Sequence, residues 1–260
     1  MDTRAVSLRR ILDIVDRVIV LSLSTSLERQ RAIAETLKQH DLPFQFLFGR
    51  DTRTSSIEAL EGSGDYNSTR RASSGRSQLT PGEIGCALSH RGAAESMLEG
   101  SDSRILILED DAIVTAGGAA EIGTSLQSMP AKWSLAYFGY QSMNLSAPLS
   151  VRVKLASLYQ IAHLLGSKRH DPDSIRRIYA RSLNSHWMHA GWFNNAHAYA
   201  IDRSAAEFIA SAQTPVSMEA DVALGHLVRF SGLSAVCQTT PLFEQATGTP
   251  STIGARPSWK

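Results

Sequence analysis

Three consecutive acids, Glu109, Asp110 and Asp111, directly follow the aliphatic residues 105–108. The aliphatic run predicts a buried strand, and ligands of open α/β sheets bind beyond the carboxyl ends of strands. Adjacent carboxylates repel one another and are costly to bury without partners, and a divalent cation removes both problems. Since Mg²⁺ and Mn²⁺ prefer carboxylate oxygens together with substrate phosphate oxygens, the cluster predicts a site for one of these ions. The alternative is a solvated strand end or an acidic helix N-terminus.

A helix with clear start signals carries a second set of polar residues. Thr80, Pro81 and Glu83 match an N-cap, a first helical proline and the third position of a capping box, and they predict a helix to about residue 98. His90 follows Glu83 by seven residues, so both side chains project from one helical face, two turns apart. The pair could line a site. The alternatives are a capping role for Glu83 and a hydrogen-bonded core role for His90.

The remaining pattern predicts the elements that position these residues. The predicted strands are residues 17–23, 44–48, 104–108, 133–138 and 195–201. The further predicted helices are residues 27–40, 204–212 and 222–230. The strand–helix–strand opening is typical of an open α/β sheet. Residues 61–78 are rich in Ser, Gly and Arg and predict a loop. Residues 140–190 show no regular hydrophobic periodicity, and we expect helices and loops there. We expect one domain over residues 17–250, with an N-terminal extension (1–16) and a C-terminal tail (251–260).

Composition excludes several classes of protein. Of the 260 residues 43% are hydrophobic, enough for a sizeable core. Lys and Arg number 26 against 25 for Asp and Glu, which argues against a nucleic-acid binder. The sequence contains neither a membrane-spanning apolar stretch nor a signal-peptide core, so we expect a cytoplasmic protein. Cys86 and Cys237 lack metal-site spacing, and we expect both to be reduced core residues.

Two nucleotide-binding classes are also disfavoured. Acids after an aliphatic strand occur in nucleotide hydrolases, but these enzymes need a phosphate loop of the form GxxxxGK[ST], which is absent here. Gly62-Ser63-Gly64 lacks the third glycine and the strand–helix context of a dinucleotide fingerprint. A P-loop enzyme and a Rossmann dehydrogenase are therefore both poor matches.

Four segments in order resemble one known family. They are VIVLSLSTSLERQR from residue 18, LTPGEIGCALSH from residue 79, ILILEDDA from residue 105, and AHAYAI from residue 196, followed by Asp221 in DVAL. Together they are similar to glycosyltransferase family 25, which includes lipooligosaccharide and collagen galactosyltransferases. Ser22 and Asn195 stand where this family usually has Asn and Gly.

The resemblance implies a GT-A type, Rossmann-like α/β fold, with an open mixed sheet and helices on both faces. It implies a UDP-sugar donor, most often UDP-galactose, inversion at the anomeric carbon, and a divalent metal (Mn²⁺ or Mg²⁺) on the diphosphate. Asp111, helped by Glu109 or Asp110, would bind this metal. The donor would meet Leu23, Ser24, Arg29, Glu83, His90, Asp110 and His197.

Inverting transfer requires a base that takes the proton of the acceptor hydroxyl. Asp221 is the first candidate and Glu219 the second, and helix capping is the alternative role for either. His197 could equally be a core histidine without a donor contact.

The resemblance also implies a saccharide or glycolipid acceptor in lipopolysaccharide or other surface-glycan synthesis. The basic run Lys168-Arg169-His170, with Arg176, Arg177 and Arg181, could contact a phosphorylated sugar acceptor or anionic lipid, and lipid contact would make the protein peripheral to the inner membrane. The alternative is a solvated helix face. Two other functions stay open at this point. One is a metal-dependent nucleotidyl or phosphoryl transferase, and the other is a catalytically inactive glycosyltransferase-like binding protein.

Overall fold

An eight-stranded mixed sheet forms the centre of the computed structural model, which describes residues 7–141, 149–166 and 171–246. The strands are β1 (Arg17–Leu23), β2 (Gln45–Gly49), β3 (Arg104–Glu109), β4 (Ala112–Val114), β5 (Leu135–Gln141), β6 (Arg181–Ser182), β7 (Trp187–His189), β8 (Asn194–Asp202), β9 (Ala235–Gln238) and β10 (Phe243–Gln245). The order in the sheet is β2-β1-β3-β8-β5-β9-β7-β6, and β4 pairs separately with β10. β1 is parallel to β2 and β3, whereas β8 is antiparallel to both of its neighbours.

Helices cover both faces of the sheet. They are α1 (Leu27–Gln39), α2 (Ile57–Gly62), α3 (Ser68–Ser73), α4 (Pro81–Glu99), α5 (Ala116–Gln127), α6 (Leu149–Leu164), α7 (Pro172–Arg176), α8 (Arg203–Ala212) and α9 (Ala220–Phe230). Residues of α4, α8 and α9 pack in one core cluster, and residues of α1, α5 and a 3₁₀ helix (Arg9–Asp13) pack in another. The predicted open mixed α/β sheet with helices on both faces is confirmed.

Successive side chains of the central strands pack alternately into the two core clusters. In β1, Ile19 and Leu21 join the α4 side while Val18 and Val20 join the α1 side, as expected when successive side chains point to opposite faces. A strand that is buried on both faces must be apolar throughout, which explains the uninterrupted aliphatic runs of β1 and β3. The β1–β3 register pairs Leu21 with Glu109, so the residues that follow each strand meet at one edge of the sheet.

Three segments contain structure that the sequence pattern did not define. Residues 61–78 are not simply a loop, because α2 ends and α3 lies within this range, and Tyr66 is buried and forms a bridge with Val216. Within residues 7–16, Leu8 and Ile11 are fully buried against the α1 side of the sheet. The interval 140–190 contributes α6, α7, β6 and β7.

Other predictions cannot be compared with the structure. The basic run 168–170 and the tail 251–260 lie outside the described residues. Among the residues that are described, no helix has both the length and the apolar character needed to cross a membrane.

Candidate active site

A cleft opens at the carboxyl ends of β1 and β3, beside the N-terminal half of α4. Its lining is Leu21, Ser22, Leu23, Arg29, Arg50, Asp51, Thr52, Arg53, Gly82, Gly85, Cys86, Ser89, His90, Glu109, Asp110, Asp111 and Gln245. The cleft therefore brings together the three consecutive acids with Leu23, Arg29 and His90, which the sequence had assigned to donor or metal binding. The parallel β1–β3 pair creates this edge, because the loops that follow both strands emerge on the same side.

Arg29, in the first turn of α1, holds two of the acids. Its Nη2 atom lies 2.9 Å from Asp110 Oδ1 and also forms an ion pair with Asp111 Oδ2. Ser22 Oγ donates a 2.6 Å hydrogen bond to the other oxygen of Asp110, and Gln245 Nε2 donates a 3.1 Å hydrogen bond to Asp111 Oδ2. The guanidinium thus balances part of the negative charge at the end of β3.

The single positive charge of Arg29 does not fully compensate the two carboxylates of Asp110 and Asp111. Burial is the main cause of a raised pKa in both, and mutual or neighbouring carboxylate charge adds to it, while Arg29 acts in the opposite direction. Asp111 Oδ1 is buried and has no hydrogen-bond partner among the described residues. A buried carboxylate oxygen without a partner, beside a second carboxylate and an open cleft, fits a divalent cation. Asp111 and Asp110 are therefore the residues that could hold one.

Glu109 faces a different partner from the other two acids. Its Oε1 lies 3.3 Å from His90 Nε2. Burial raises the pKa of Glu109, but the hydrogen bond and charge of His90, with His197 and Arg29, outweigh burial and lower it. Of the two acids predicted to help Asp111 bind the metal, Asp110 shares Arg29 with Asp111, whereas Glu109 is paired with His90 on α4.

His90 is a buried member of this cluster, with an environment that the sequence did not reveal. Its Nδ1 lies 2.7 Å from Tyr199 Oη on β8, and its other nitrogen faces Glu109. The hydrogen bond to Tyr199 fixes the ring orientation. His90 therefore combines a core role with one edge that lines the cleft.

Three other predicted donor contacts lie outside the cleft lining. Glu83 accepts hydrogen bonds from the Thr80 backbone N–H and hydroxyl in a complete capping box, so its capping role is realised. Ser24 is exposed in the turn after β1. His197 is buried, and its ring nitrogens face the carbonyl oxygens of Asn195 and Phe243 at 3.2 and 3.1 Å. A donor contact of His197 is not supported, because backbone groups occupy both nitrogens.

Asp221 lies in the first turn of α9 and is partly buried. Its Oδ2 accepts a 3.1 Å hydrogen bond from the backbone N–H of Asn195, whose φ of 50° lies in the left-handed region. Asn tolerates this conformation better than most residues with a side chain. Burial raises the pKa of the Cys86 thiol well above its usual value, and the charges of Glu109, Asp221, Asp111 and Glu83 add to this effect. Asp221 itself is not among the residues that line the cleft.

Glu219, the N-cap residue of α9, is engaged elsewhere. Arg71 on α3 donates to both of its oxygens, at 2.7 and 2.8 Å, and Arg71 is almost fully buried. Burial raises the pKa of Glu219, but the hydrogen bonds and charge of Arg71 outweigh it and the net effect is a lowered pKa. A carboxylate held in this way is a weak base, and its position favours a structural role over the predicted catalytic one.

Sequence reasoning did not identify the residues that hold the acids and His90 in place. Ser22 and Gln245 donate hydrogen bonds to Asp110 and Asp111, Tyr199 forms a hydrogen bond with His90, and Cys86 lines the cleft. Cys86 was expected to be a core residue, but it lines the cleft and is only partly buried. The available signal was its position in the helix, one turn before His90 on the same face.

Comparisons with known proteins give the chain a family context. Residues 15–224 match the model of glycosyltransferase family 25 (LPS biosynthesis protein). A Haemophilus influenzae protein named "Putative glycosyltransferase" is 37% identical over 92 residues, which are 35% of this chain and 31% of that protein. The alignment thus spans about a third of the relative.

Two solved structures resemble the fold only distantly. One is a glycosyltransferase involved in the glycosylation of the major capsid of PBCV-1, at 11% identity and a TM-score of 0.40, covering 90% of this chain and 93% of that one. The other is the inositol-1-phosphate CTP transferase from T. maritima, at 11% identity and a TM-score of 0.43, covering 88% of each chain. At these values neither likeness bears on the activity.

Proposed function

The chain belongs to glycosyltransferase family 25, and from this premise we propose that it is an inverting hexosyltransferase of the GT-A type. It moves a hexose, galactose in the first instance, from a UDP-sugar to a saccharide or glycolipid acceptor in lipopolysaccharide or other surface-glycan synthesis. The observation that carries the proposal is the pair Asp110 and Asp111 at the end of β3, with the buried, unpartnered Oδ1 of Asp111.

The donor diphosphate is proposed to lie over this pair. A Mn²⁺ or Mg²⁺ ion held by Asp111 and Asp110 would supply Lewis-acid stabilisation of the UDP leaving group. Arg29 already forms ion pairs with both acids, and its guanidinium suits phosphate oxygens as well. Arg29 would therefore keep the carboxylates oriented and share its charge with the bound diphosphate.

Asp221 is proposed as the base. Its carboxylate takes the proton of the acceptor hydroxyl while the acceptor oxygen bonds to the anomeric carbon and the bond from that carbon to UDP breaks. The backbone N–H of Asn195 orients one oxygen of Asp221. Asp221 is favoured over Glu219, because both oxygens of Glu219 are bound to Arg71.

The proposal can be tested by a donor screen. UDP-galactose, UDP-glucose, UDP-GlcNAc and UDP-GalNAc are titrated by calorimetry with Mn²⁺ or with EDTA, and UDP release is followed in parallel. We expect one donor to bind only with metal, and Asp111→Asn to weaken that binding at least about tenfold. Asp41→Asn is the matched control, because Asp41 is an exposed acid at the end of α1. If no UDP-sugar binds with metal present, the proposed donor is wrong.

The base is tested separately by Asp221→Asn. We expect kcat for transfer to fall by about 10²–10⁴, the usual contribution of a positioned base, while the Kd of the donor changes little. Equal losses in donor binding and in kcat would contradict this assignment and favour a positioning role at the start of α9.

A further inference from the structure

Cys86, His90 and Glu109 form a cluster whose chemistry differs from that of the neighbouring aspartates. The Sγ of Cys86, a ring nitrogen of His90 and a carboxylate oxygen of Glu109 all lie within 4.8 Å of one another. Cys86 and His90 are four residues apart on α4, so they share one face of the helix, and Glu109 approaches from the end of β3. All three line the cleft.

Both ring nitrogens of His90 have a partner in this cluster. Tyr199 Oη lies 2.7 Å from Nδ1, and Nε2 faces Glu109 Oε1 at 3.3 Å. A bound cation would replace the hydrogen between Nε2 and Glu109, and Nδ1 would then carry the ring hydrogen and donate it to Tyr199. A second partner that fixes the tautomer and ring orientation is the usual companion of a metal-binding histidine.

We propose that Cys86, His90 and Glu109 bind a thiophilic divalent cation, Zn²⁺, at a site separate from the one at Asp110 and Asp111. Thiolate and imidazole together suit Zn²⁺, whereas Mg²⁺ and Mn²⁺ favour sites built of oxygen atoms. Tetrahedral zinc sites hold ligand atoms about 3.5 Å apart, so small side-chain rotations within the cluster suffice. Three protein ligands leave a fourth position, which faces the cleft and would hold water or a ligand oxygen.

Binding would be linked to proton release. Zn²⁺ would form a bond to sulfur as the thiol proton leaves to solvent, and any hydrogen shared between His90 Nε2 and Glu109 would leave as well. Zn²⁺ affinity should therefore fall as the pH is lowered, as is usual for thiolate sites.

Cobalt(II) provides a direct probe, because a cobalt–thiolate bond gives a charge-transfer band in the near ultraviolet. The full chain is titrated with Co²⁺ and then with Zn²⁺. We expect one equivalent of Co²⁺ to produce the band and Zn²⁺ to remove it. Cys86→Ala should abolish the band, whereas Cys237→Ala, which removes the other cysteine of the chain, should retain it. Circular dichroism checks that both variants fold.

Two further variants separate this proposal from the proposed function. Asp111→Ala should lose donor-dependent Mn²⁺ binding and keep the cobalt–thiolate band. Tyr199→Phe should weaken Co²⁺ binding about tenfold, since it removes only the partner of Nδ1. Co²⁺ binding without the band, or a band that survives in Cys86→Ala, would overturn the zinc site, whatever the outcome of the donor screen.

Discussion

Replacing Arg71 by methionine tests the ion pair that joins α3 to the start of α9. Methionine keeps much of the apolar length of the side chain but lacks the guanidinium that donates to both oxygens of Glu219. The side chains of Arg71 and Glu219 are only 4% and 15% exposed, so water replaces the lost partner poorly. Removing one member of a buried pair costs about 3–5 kcal/mol, because the other charge loses its main partner. Arg76, whose Nη1 lies 3.7 Å from Glu219 Oε2, remains, but its side chain is 35% exposed and an exposed pair contributes little.

The expected change in Tm follows from the size of the chain. Unfolding entropy is about 2.1 cal/mol/K per residue, which for 260 residues gives roughly 0.55 kcal/mol/K. The variant should therefore melt about 5–9 °C below the wild type at neutral pH. Arg70→Met is the matched control, because Arg70 is exposed on the same helix and should change Tm by less than about 1 °C.

The pH dependence gives a second, independent signature. The folded-state pKa of Glu219 is lowered from 4.5, so its stabilisation is fully present above that pH and is lost as pH falls through the folded value. The difference in Tm between wild type and Arg71→Met should accordingly narrow below pH 4.5. Calorimetric scans from pH 7 to the lowest pH at which both proteins stay folded provide the measurement. A fall of less than about 1 °C at pH 7, or a gap that widens in acid, would refute the reasoning.

Substitutions at three further positions test the packing of the core and the cap of α4. Gly139→Ala should lower the free energy of unfolding by about 1–3 kcal/mol. The new Cβ would lie 2.5 Å from His197 Nε2 and 2.8 Å from the Phe243 carbonyl oxygen, which is too close. A Tm equal to that of the wild type would contradict this. Thr80→Ala should cost about 1 kcal/mol in urea unfolding through loss of the cap of α4, whereas Thr80→Ser should retain most of it. Trp187→Ala should lower the free energy of unfolding in urea by about 3–5 kcal/mol, because the ring is fully buried. A loss below about 1 kcal/mol would show that neighbouring side chains repack into the cavity.

Local signals predicted the elements that carry the site. β1 was predicted at its observed bounds because a strand buried on both faces must be apolar throughout. The start of α4 was predicted because Thr80, Pro81 and Glu83 carry the capping information within four residues. By contrast, α5 was not recognised, since its sequence AGGAAEIGTSLQ is rich in small residues and has a weak apolar stripe. Short strands such as β9 contain too few residues for a clear period.

The partners of the site residues were not predictable in the same way. Ser22 and Asp110 are 88 residues apart, and Gln245 and Asp111 are 134 apart, so only the folded sheet identifies these contacts. In the sequence, Glu219 and Asp221 are equivalent candidates for the base, because both are acids at the start of a predicted helix. What distinguishes them is Arg71, which lies 148 residues from Glu219 and engages both of its oxygens.

The position of β8 in the sheet has a consequence for biosynthesis. β3 and β5 emerge from the ribosome well before Asn194–Asp202, the strand that pairs with both of them. Until that strand is made, each exposes an unsatisfied row of backbone groups on a strand whose central residues are mainly apolar, the kind of edge that pairs with other chains. The aspartates at the end of β3 are therefore synthesised early, yet the sheet beneath them is complete only when most of the chain has been translated. A pause in translation before residue 194 would prolong the interval in which the nascent protein is prone to aggregate.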